Sequence, residues 1–375
     1  MNMIISLLIF NYINLFTCSP IQLRGIVEGF YGTPWTYEDR ADLINFCGQQ
    51  NLNAYIYAPK DDPFHRDKWR IPYPDDKIQE IKNLIEISNK NKVRFIFAVS
   101  PGLNLQYDGD EDFNTLMIKL NSIYEIGCRD FAIFFDDISA GEGAGKDQAN
   151  FLNKLQDSLY KKYSDINPLI TVPTQYCRLD MIDKEGNVKQ YIEDFVNILN
   201  EEITVLYTGY GVVCDGITDE SFKKANEIYK RDLGIWWNYP VNDFLKTKLA
   251  LGPIEKLPTS NVKSIFFNPM GQVQLSKIAL STGAEYSNSP ETYNSDQSWN
   301  KVIETQFGEI APAMKVFATH SRHMENSWAK VGPPDAPEFY EEAHQAVLDT
   351  RDKKSKDFST LIALNNKTTF FSRNV

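Results

Sequence analysis

Short apolar runs recur at regular intervals along the chain. Gly25–Val27, Ala54–Ala58, Val93–Val99, Phe131–Phe135, Leu169–Val172, Thr204–Tyr207, Gly234–Trp237 and Val262–Phe267 make eight of them. Most are rich in β-branched or aromatic residues and apolar throughout, the pattern of a strand buried on both faces. Between most of the runs lie longer segments whose apolar positions recur at helical spacing, such as Asp76–Lys90, Thr115–Ile126, Asp147–Tyr163 and Ser221–Lys230. Wholly apolar strands alternating with such helices predict a parallel sheet covered by helices on its outside. Eight units between residues 25 and 267 fit a closed (β/α)8 barrel, a TIM barrel, in both strand number and length. A doubly wound open sheet fits less well, because no G-x-G-x-x-G follows the first run.

The pattern changes after Met270. Leu275–Glu285, Trp299–Phe307 and Glu338–Asp352 read as helices, broken by Pro312, Pro333, Pro334 and Pro337. The chain therefore divides into a catalytic barrel over 22–270, a helical appendage over 271–350 and a poorly defined tail over 351–375. Residues 1–19 read as a signal peptide: Met1 to Thr17 is apolar apart from Asn2, Asn11, Asn14 and Ser6, and Ser19-Pro20 follows, although a cationic start is missing. This implies a secreted protein, with a cytoplasmic one as the alternative. No segment reads as a stable membrane span. Asn366-Lys367-Thr368 is a glycosylation sequon that matters only in a secreted chain.

Composition narrows the function. A net charge of -11 argues against nucleic acid as a partner, since phosphate binding needs a Lys/Arg-rich face. Nineteen Tyr and six Trp suit a sugar binder, although most aromatics serve the core. The five Cys are widely spaced without a C-x-x-C pair and read mostly as buried thiols. His320 and His323 stand three apart without an H-E-x-x-H context and read as a helix face. No metal or cofactor is expected.

The strand ends carry the chemistry. The first run leads into Glu28-Gly29-Phe30-Tyr31, the second into Pro59-Lys60-Asp61-Asp62, the fourth into Asp136-Asp137, and the fifth into Pro173-Thr174-Gln175-Tyr176. The seventh gives Trp236-Trp237-Asn238 and then Asp243, and the eighth ends at Asn268. A parallel barrel brings all of these to one rim, where barrel active sites lie. Asp136-Asp137 is the sharpest feature: two adjacent carboxylates emerging from a buried strand should not both ionise easily, so one should have a raised pKa and donate a proton. Ordinary retaining glycosidases set their two carboxylates on opposite sides of the sugar. Neighbouring acids on one strand suit substrate-assisted catalysis instead, in which a 2-acetamido oxygen of the substrate attacks the anomeric carbon. Metal ligation and a helix cap are the other readings of the pair.

Five segments resemble glycoside hydrolase family 84, the O-GlcNAcase and β-N-acetylglucosaminidase family. They are the run from Gly25 to Trp35, the run from Tyr55 to Asp62, Phe134-Phe135-Asp136-Asp137-Ile138, Pro173-Thr174-Gln175-Tyr176-Cys177, and Asn238-Tyr239-Pro240-Val241-Asn242-Asp243. They occur in register and in order. The resemblance implies a retaining exo-β-N-acetylglucosaminidase that works through an oxazoline intermediate on a glycoprotein or glycan bearing N-acetylglucosamine. It implies that Asp136 orients the acetamido group, that Asp137 is the general acid/base and that Tyr176 supports the acetamido oxygen or the oxazoline. Gly29 and Lys60 would contact sugar hydroxyls, Asp243 would hold O4 and O6, Asn238 and Asn268 would bind the acetamido side and the hydroxyls, and Trp236 would wall the pocket. Blander readings are a turn for Gly29, a core position for Trp236 and a surface ion pair for Lys60. Trp237, Tyr207 and Phe244 depart from the family pattern and bear on substrate preference. Two alternatives stand beside this reading: a sugar-binding protein of the same fold with impaired catalysis, and a metal-dependent barrel hydrolase using Asp61, Asp62 or Asp243.

Overall fold

The computed structural model describes residues 19–244 and 249–322. Eight strands close into a barrel in sequence order: β1 (Leu23–Glu28), β2 (Ala54–Tyr57), β3 (Arg94–Val99), β4 (Asp130–Phe134), β5 (Ile170–Val172), β6 (Thr204–Tyr207), β7 (Gly234–Trp237) and β8 (Ser264–Phe267). Every neighbouring pair is parallel, and the ring closes where β8 runs beside β1 with Ile26 opposite Phe267. The expected TIM barrel is thus present, and each of the eight apolar runs overlaps one of its strands.

Around the barrel lie α1 (Tyr37–Gln49), α2 (Asp75–Lys90), α3 (Glu111–Glu125), α4 (Ala144–Lys162), the short α5 (Arg178–Met181), α6 (Gln190–Ile198), α7 (Asp219–Tyr229) and α8 (Val273–Asn288). The four helices expected between strands fall within α2, α3, α4 and α7 to a few residues at their ends. α1 had escaped the periodicity because its buried face includes Arg40 beside Leu43, Ile44 and Phe46. Its start is fixed by Thr36, whose side chain accepts a hydrogen bond from the Asp39 amide at 3.1 Å.

Alternation along the strands sorts side chains into two cores. Val27, Ile56, Ala98, Phe134 and Phe266 fill the barrel interior, while Ile26, Tyr55, Phe97, Ile133 and Phe267 face the helices.

Beyond β8 the chain is helical, as expected. The expected helix Leu275–Glu285 is the middle of α8, which packs on β8 and β1 as the barrel's own eighth helix. α9 (Ser295–Phe307), a 3-10 turn (Gly308–Ile310) and α10 (Ala311–His320) then pack with α8 around Trp299. Leu249, Ala250 and Leu251, from the connection between β7 and β8, join this third core. Trp299 Nε1 donates to the Leu251 carbonyl at 2.7 Å, and the Leu251 amide donates to the Ser321 carbonyl at 3.1 Å. Among the described residues that connection has no helix of its own, and the C-terminal helices cover its place. The expected signal segment 1–18, His323, the helix Glu338–Asp352, the tail and the sequon lie outside the described residues. No described helix is long and apolar enough to cross a membrane.

One buried ion pair fastens the barrel to its helical layer beneath the candidate site. Glu28, wholly buried at the end of β1, accepts two hydrogen bonds from Arg40 of α1, each 2.8 Å long, and a short one from the Tyr55 hydroxyl. Arg40→Leu should leave an uncompensated buried carboxylate and cost about 3–5 kcal/mol. A fall in the urea midpoint of that size, with an unchanged slope, is the expected outcome of an unfolding titration.

Candidate active site

All the sequence-predicted site residues converge on the carboxyl-terminal rim of the barrel. Gly29 follows β1, Lys60 follows β2, Asp136 and Asp137 follow β4, and Tyr176 follows β5. Trp236 lies within β7, Asn238 follows it, Asp243 stands further along the same connection, and Asn268 follows β8.

The floor is aromatic. Trp236 and Phe134 meet edge to face with ring centroids 5.4 Å apart, and the Lys60 ammonium lies 5.8 Å from each ring. Gly29 packs against Trp236: a Cβ at that position would lie 2.3 Å from Trp236 Cζ2. Only glycine lets β1 end this close to the indole, so packing rather than a turn requirement accounts for the residue.

The two acids occupy different surroundings. Asp136 is buried, 9% exposed, and ion-paired with the equally buried Lys60 through Oδ2. Its other oxygen, Oδ1, is buried and has no hydrogen-bond partner among the described residues. Lys60 is therefore not the exposed ion-pair partner of Asp61 and Asp62 that its position in sequence allowed. Asp137 adopts a left-handed backbone, φ 56°, at the point where β4 gives way to its loop. Both of its oxygens are taken: the Tyr31 hydroxyl donates to Oδ2 at 2.6 Å and the Tyr176 hydroxyl to Oδ1 at 2.7 Å.

Desolvation works to raise the Asp137 pKa, but the hydrogen bonds from Tyr31 and Tyr176 and the charges of Lys60 and Arg66 outweigh it and hold the carboxyl below its ordinary value. Adjacency alone had suggested an upward shift in one of the pair; at Asp137 the direction is the reverse, because two phenol donors stabilise the charged form. The same contacts push both tyrosine hydroxyls up, with burial the largest cause. Asp243 moves the other way: burial, and after it the charge of Asp137, raise its pKa, against hydrogen bonds from the Tyr31 and Phe244 amides.

The asparagines form a linked set. The Trp236 indole donates to Asn238 Oδ1 at 2.7 Å, Asn268 donates to the same oxygen at 2.9 Å, and Asn238 Nδ2 donates to the Val212 carbonyl at 2.7 Å. Asn268 Oδ1 accepts from the Gly29 amide at 3.3 Å. Of the three departures from the family pattern, Tyr207 and Trp237 lie in the helix-facing layer, so they pack behind the pocket rather than line it. Phe244 is 50% exposed at the rim.

Asp61, Asp62 and Asp243 do not gather into a cation site. Asp61 accepts from the Gly32 amide, Asp62 from Tyr57, Tyr73 and the Phe64 amide, and Asp243 from the Tyr31 amide. Among the described residues no cluster of three or more His, Cys, Asp or Glu has metal-binding geometry. The four described cysteines are free, three of them buried, in keeping with the reading of thiols.

Two site residues had no role in the sequence reading. Tyr31 bridges the mouth, its amide on Asp243 and its hydroxyl on Asp137. Arg66 donates to the Tyr31 hydroxyl and, at 3.4 Å, to the Asp137 carbonyl. Tyr31 stood inside a quoted motif; Arg66 had no signal beyond its nearness to Lys60.

A closed barrel with neighbouring carboxylates over an aromatic floor at its carboxyl-terminal rim is the arrangement of a barrel glycoside hydrolase. The comparisons agree. The family model described as beta-N-acetylglucosaminidase matches residues 24–319. Protein O-GlcNAcase of Mus musculus is 33% identical over 274 residues, 70% of this chain and 30% of the mouse protein, so this chain spans less than a third of its length. The solved structure of CpGH84B is 40% identical with a TM-score of 0.79, covering 93% of this chain and 62% of that one. The structure of an O-GlcNAc hydrolase variant from Thermobaculum terrenum is 32% identical with a TM-score of 0.78, covering 94% and 79%. The chain belongs to the β-N-acetylglucosaminidase family, glycoside hydrolase family 84.

The raised pKa of Asp243 carries a stability consequence. A carboxyl that binds its proton more tightly when folded penalises the folded state at neutral pH, and the penalty fades as pH falls through the folded pKa. Asp243→Asn should therefore raise the thermal midpoint at pH 7, and the gain should vanish on acidification. Parallel melts at pH 7 and in the acid range check this.

Proposed function

We propose that the protein is a retaining exo-β-N-acetylglucosaminidase that hydrolyses terminal β-linked N-acetylglucosamine by substrate-assisted catalysis. The observation that carries this reading is the buried, unpartnered Oδ1 of Asp136 beside an occupied Oδ2. A buried acceptor left empty costs free energy unless something fills it. The N–H of a substrate acetamido group supplies the missing donor and is aligned by it for attack of its carbonyl oxygen on the anomeric carbon. Lys60 keeps Asp136 fixed while this happens.

Asp137 then gives a proton to the leaving oxygen and, in the second step, takes one from the water that opens the oxazoline. Tyr176 supports the acetamido oxygen or the oxazoline, and Trp236 walls the sugar ring. Asp243 accepts from O4 and O6, while Gly29, Lys60, Asn238 and Asn268 meet the hydroxyls and the acetamido side. The relatives' names, O-GlcNAcase and O-GlcNAc hydrolase, support a glycoprotein as the acceptor.

Asp137→Asn should lower kcat/KM on substrates with poor leaving groups by about 10²–10⁴-fold and spare activated aryl glycosides more. Asp136→Asn should depress both, because the acetamido nucleophile loses its orienting charge. Kinetics on a chromogenic aryl N-acetylglucosaminide and an alkyl counterpart check the pattern, and full activity in both variants would overturn the roles. Retained turnover in EDTA is expected as well; its loss would favour the metal-dependent reading.

A further inference from the structure

Arg66 is a cation at the rim whose charge is aimed at the site rather than at a carboxylate of its own. Its backbone is fixed by the residue before it: the wholly buried His65 ring engages the Ala98 carbonyl through Nδ1 at 2.8 Å and Ser100 Oγ through Nε2 at 3.1 Å, and the Ser100 amide donates back to the His65 carbonyl at 2.9 Å. Lys119 of α3 ties the same loop by donating to the Phe64 carbonyl at 2.6 Å. Burial pushes His65 down to about 3, so the ring is neutral and its contacts do not change across the working pH range. From this anchored point the Arg66 guanidinium reaches the Tyr31 hydroxyl, with its carbon 5.4 Å from the tyrosine ring centroid, and no carboxylate side chain pairs with it among the described residues.

A phenol has one proton. With an arginine N–H directed at its oxygen, the Tyr31 hydroxyl must turn that proton toward Asp137 Oδ2, where the distance is 2.6 Å. A proton on the same lone pair of Oδ2 would then meet the phenol proton head on. The Tyr176 hydroxyl occupies the other oxygen in the same way. Asp137 is thereby held as an acceptor from both phenols, and before it serves a leaving group it takes a proton from solvent on a lone pair that the phenols leave free. We infer that Arg66 is a positioning residue for the hydrolysis: through Tyr31 it favours the ionised, doubly hydrogen-bonded form of Asp137, which takes a proton from solvent before it gives one to the leaving oxygen. The inference rests on the reading of Asp137 as the acid/base group. The charged and titratable groups facing Asp137 are Tyr31 from the β1 loop, Lys60 and Arg66 from the β2 loop, Asp136 from β4, Tyr176 from the β5 loop and Asp243 from the β7 connection. Of these, Arg66 alone acts on the direction of the Tyr31 proton.

The test is a 13C NMR titration of the full chain with carboxyl-labelled aspartate, the Asp137 signal being assigned by its loss in Asp137→Asn. Arg66→Gln should move the Asp137 midpoint to higher pH, and Arg66→Lys, which keeps the charge, should move it less. Tyr31→Phe should also raise it, and Arg66→Gln placed on Tyr31→Phe should add less than Arg66→Gln does alone, because part of its effect runs through the hydroxyl. An unmoved midpoint in Arg66→Gln, or shifts that add in full, overturns the inference. Turnover of an aryl N-acetylglucosaminide by the unaltered protein is measured separately, so failure of the glycosidase reading and failure of the Arg66 role are told apart.

Discussion

The buried ion pair between Lys60 and Asp136 is the interaction on which the rest of the site depends. Removing two charges from water costs several kcal/mol per ion, and the attraction between them repays this only when the geometry is good and the remaining polar atoms are satisfied. Here one atom is not: Asp136 Oδ1 stays without a donor. The surroundings make the arrangement persist. Lys60 is held over the Phe134 and Trp236 rings, Trp236 is pressed against Gly29, and Gly29 follows a glutamate clamped to α1 by Arg40. Folding energy elsewhere in the barrel therefore maintains a local deficit that an amide-bearing substrate can relieve.

Adjacent in sequence, Asp136 and Asp137 are distinct in chemistry. One faces an ammonium in an apolar wall; the other, turned by a left-handed backbone step, faces two phenols and a rim arginine. Environments that differ this much let two identical carboxyl groups differ in chemistry, as the proposed division between fixing a nucleophile and moving a proton requires. Asp243 is linked to Asp137 through Tyr31, whose amide donates to one carboxyl and whose hydroxyl donates to the other.

Much of this architecture was legible in the sequence, for physical reasons. Strands buried on both faces leave apolar runs that need no structure to recognise, and a parallel barrel sends every residue after such a run to the same rim. That is why Gly29, Lys60, Asp136, Tyr176 and Asn268 could be gathered before any coordinates. The α1 segment was obscured because its buried face carries Arg40, whose partner on β1 cannot be inferred from periodicity. α8 read as the start of an appendage because nothing in its composition marks it as a barrel helix. The Arg66 contact joins two loops through space, with no spacing rule to reveal it. The lowered pKa of Asp137 was not legible for a related reason: adjacency in sequence displays the like charge of Asp136, whereas the hydroxyls that hold Asp137 down come from the loops after other strands.

The central claim is that Asp136 waits for a substrate amide which itself performs the attack. The most direct measurement is the rate of hydrolysis of a series of aryl β-glucosaminides whose N-acetyl group carries none, one, two or three fluorines. Fluorine drains electron density from the amide oxygen and leaves the leaving group untouched. The account predicts that kcat/KM falls steeply with each fluorine added. A rate indifferent to fluorination would contradict it, since the nucleophile would then have to come from somewhere other than the sugar's own amide.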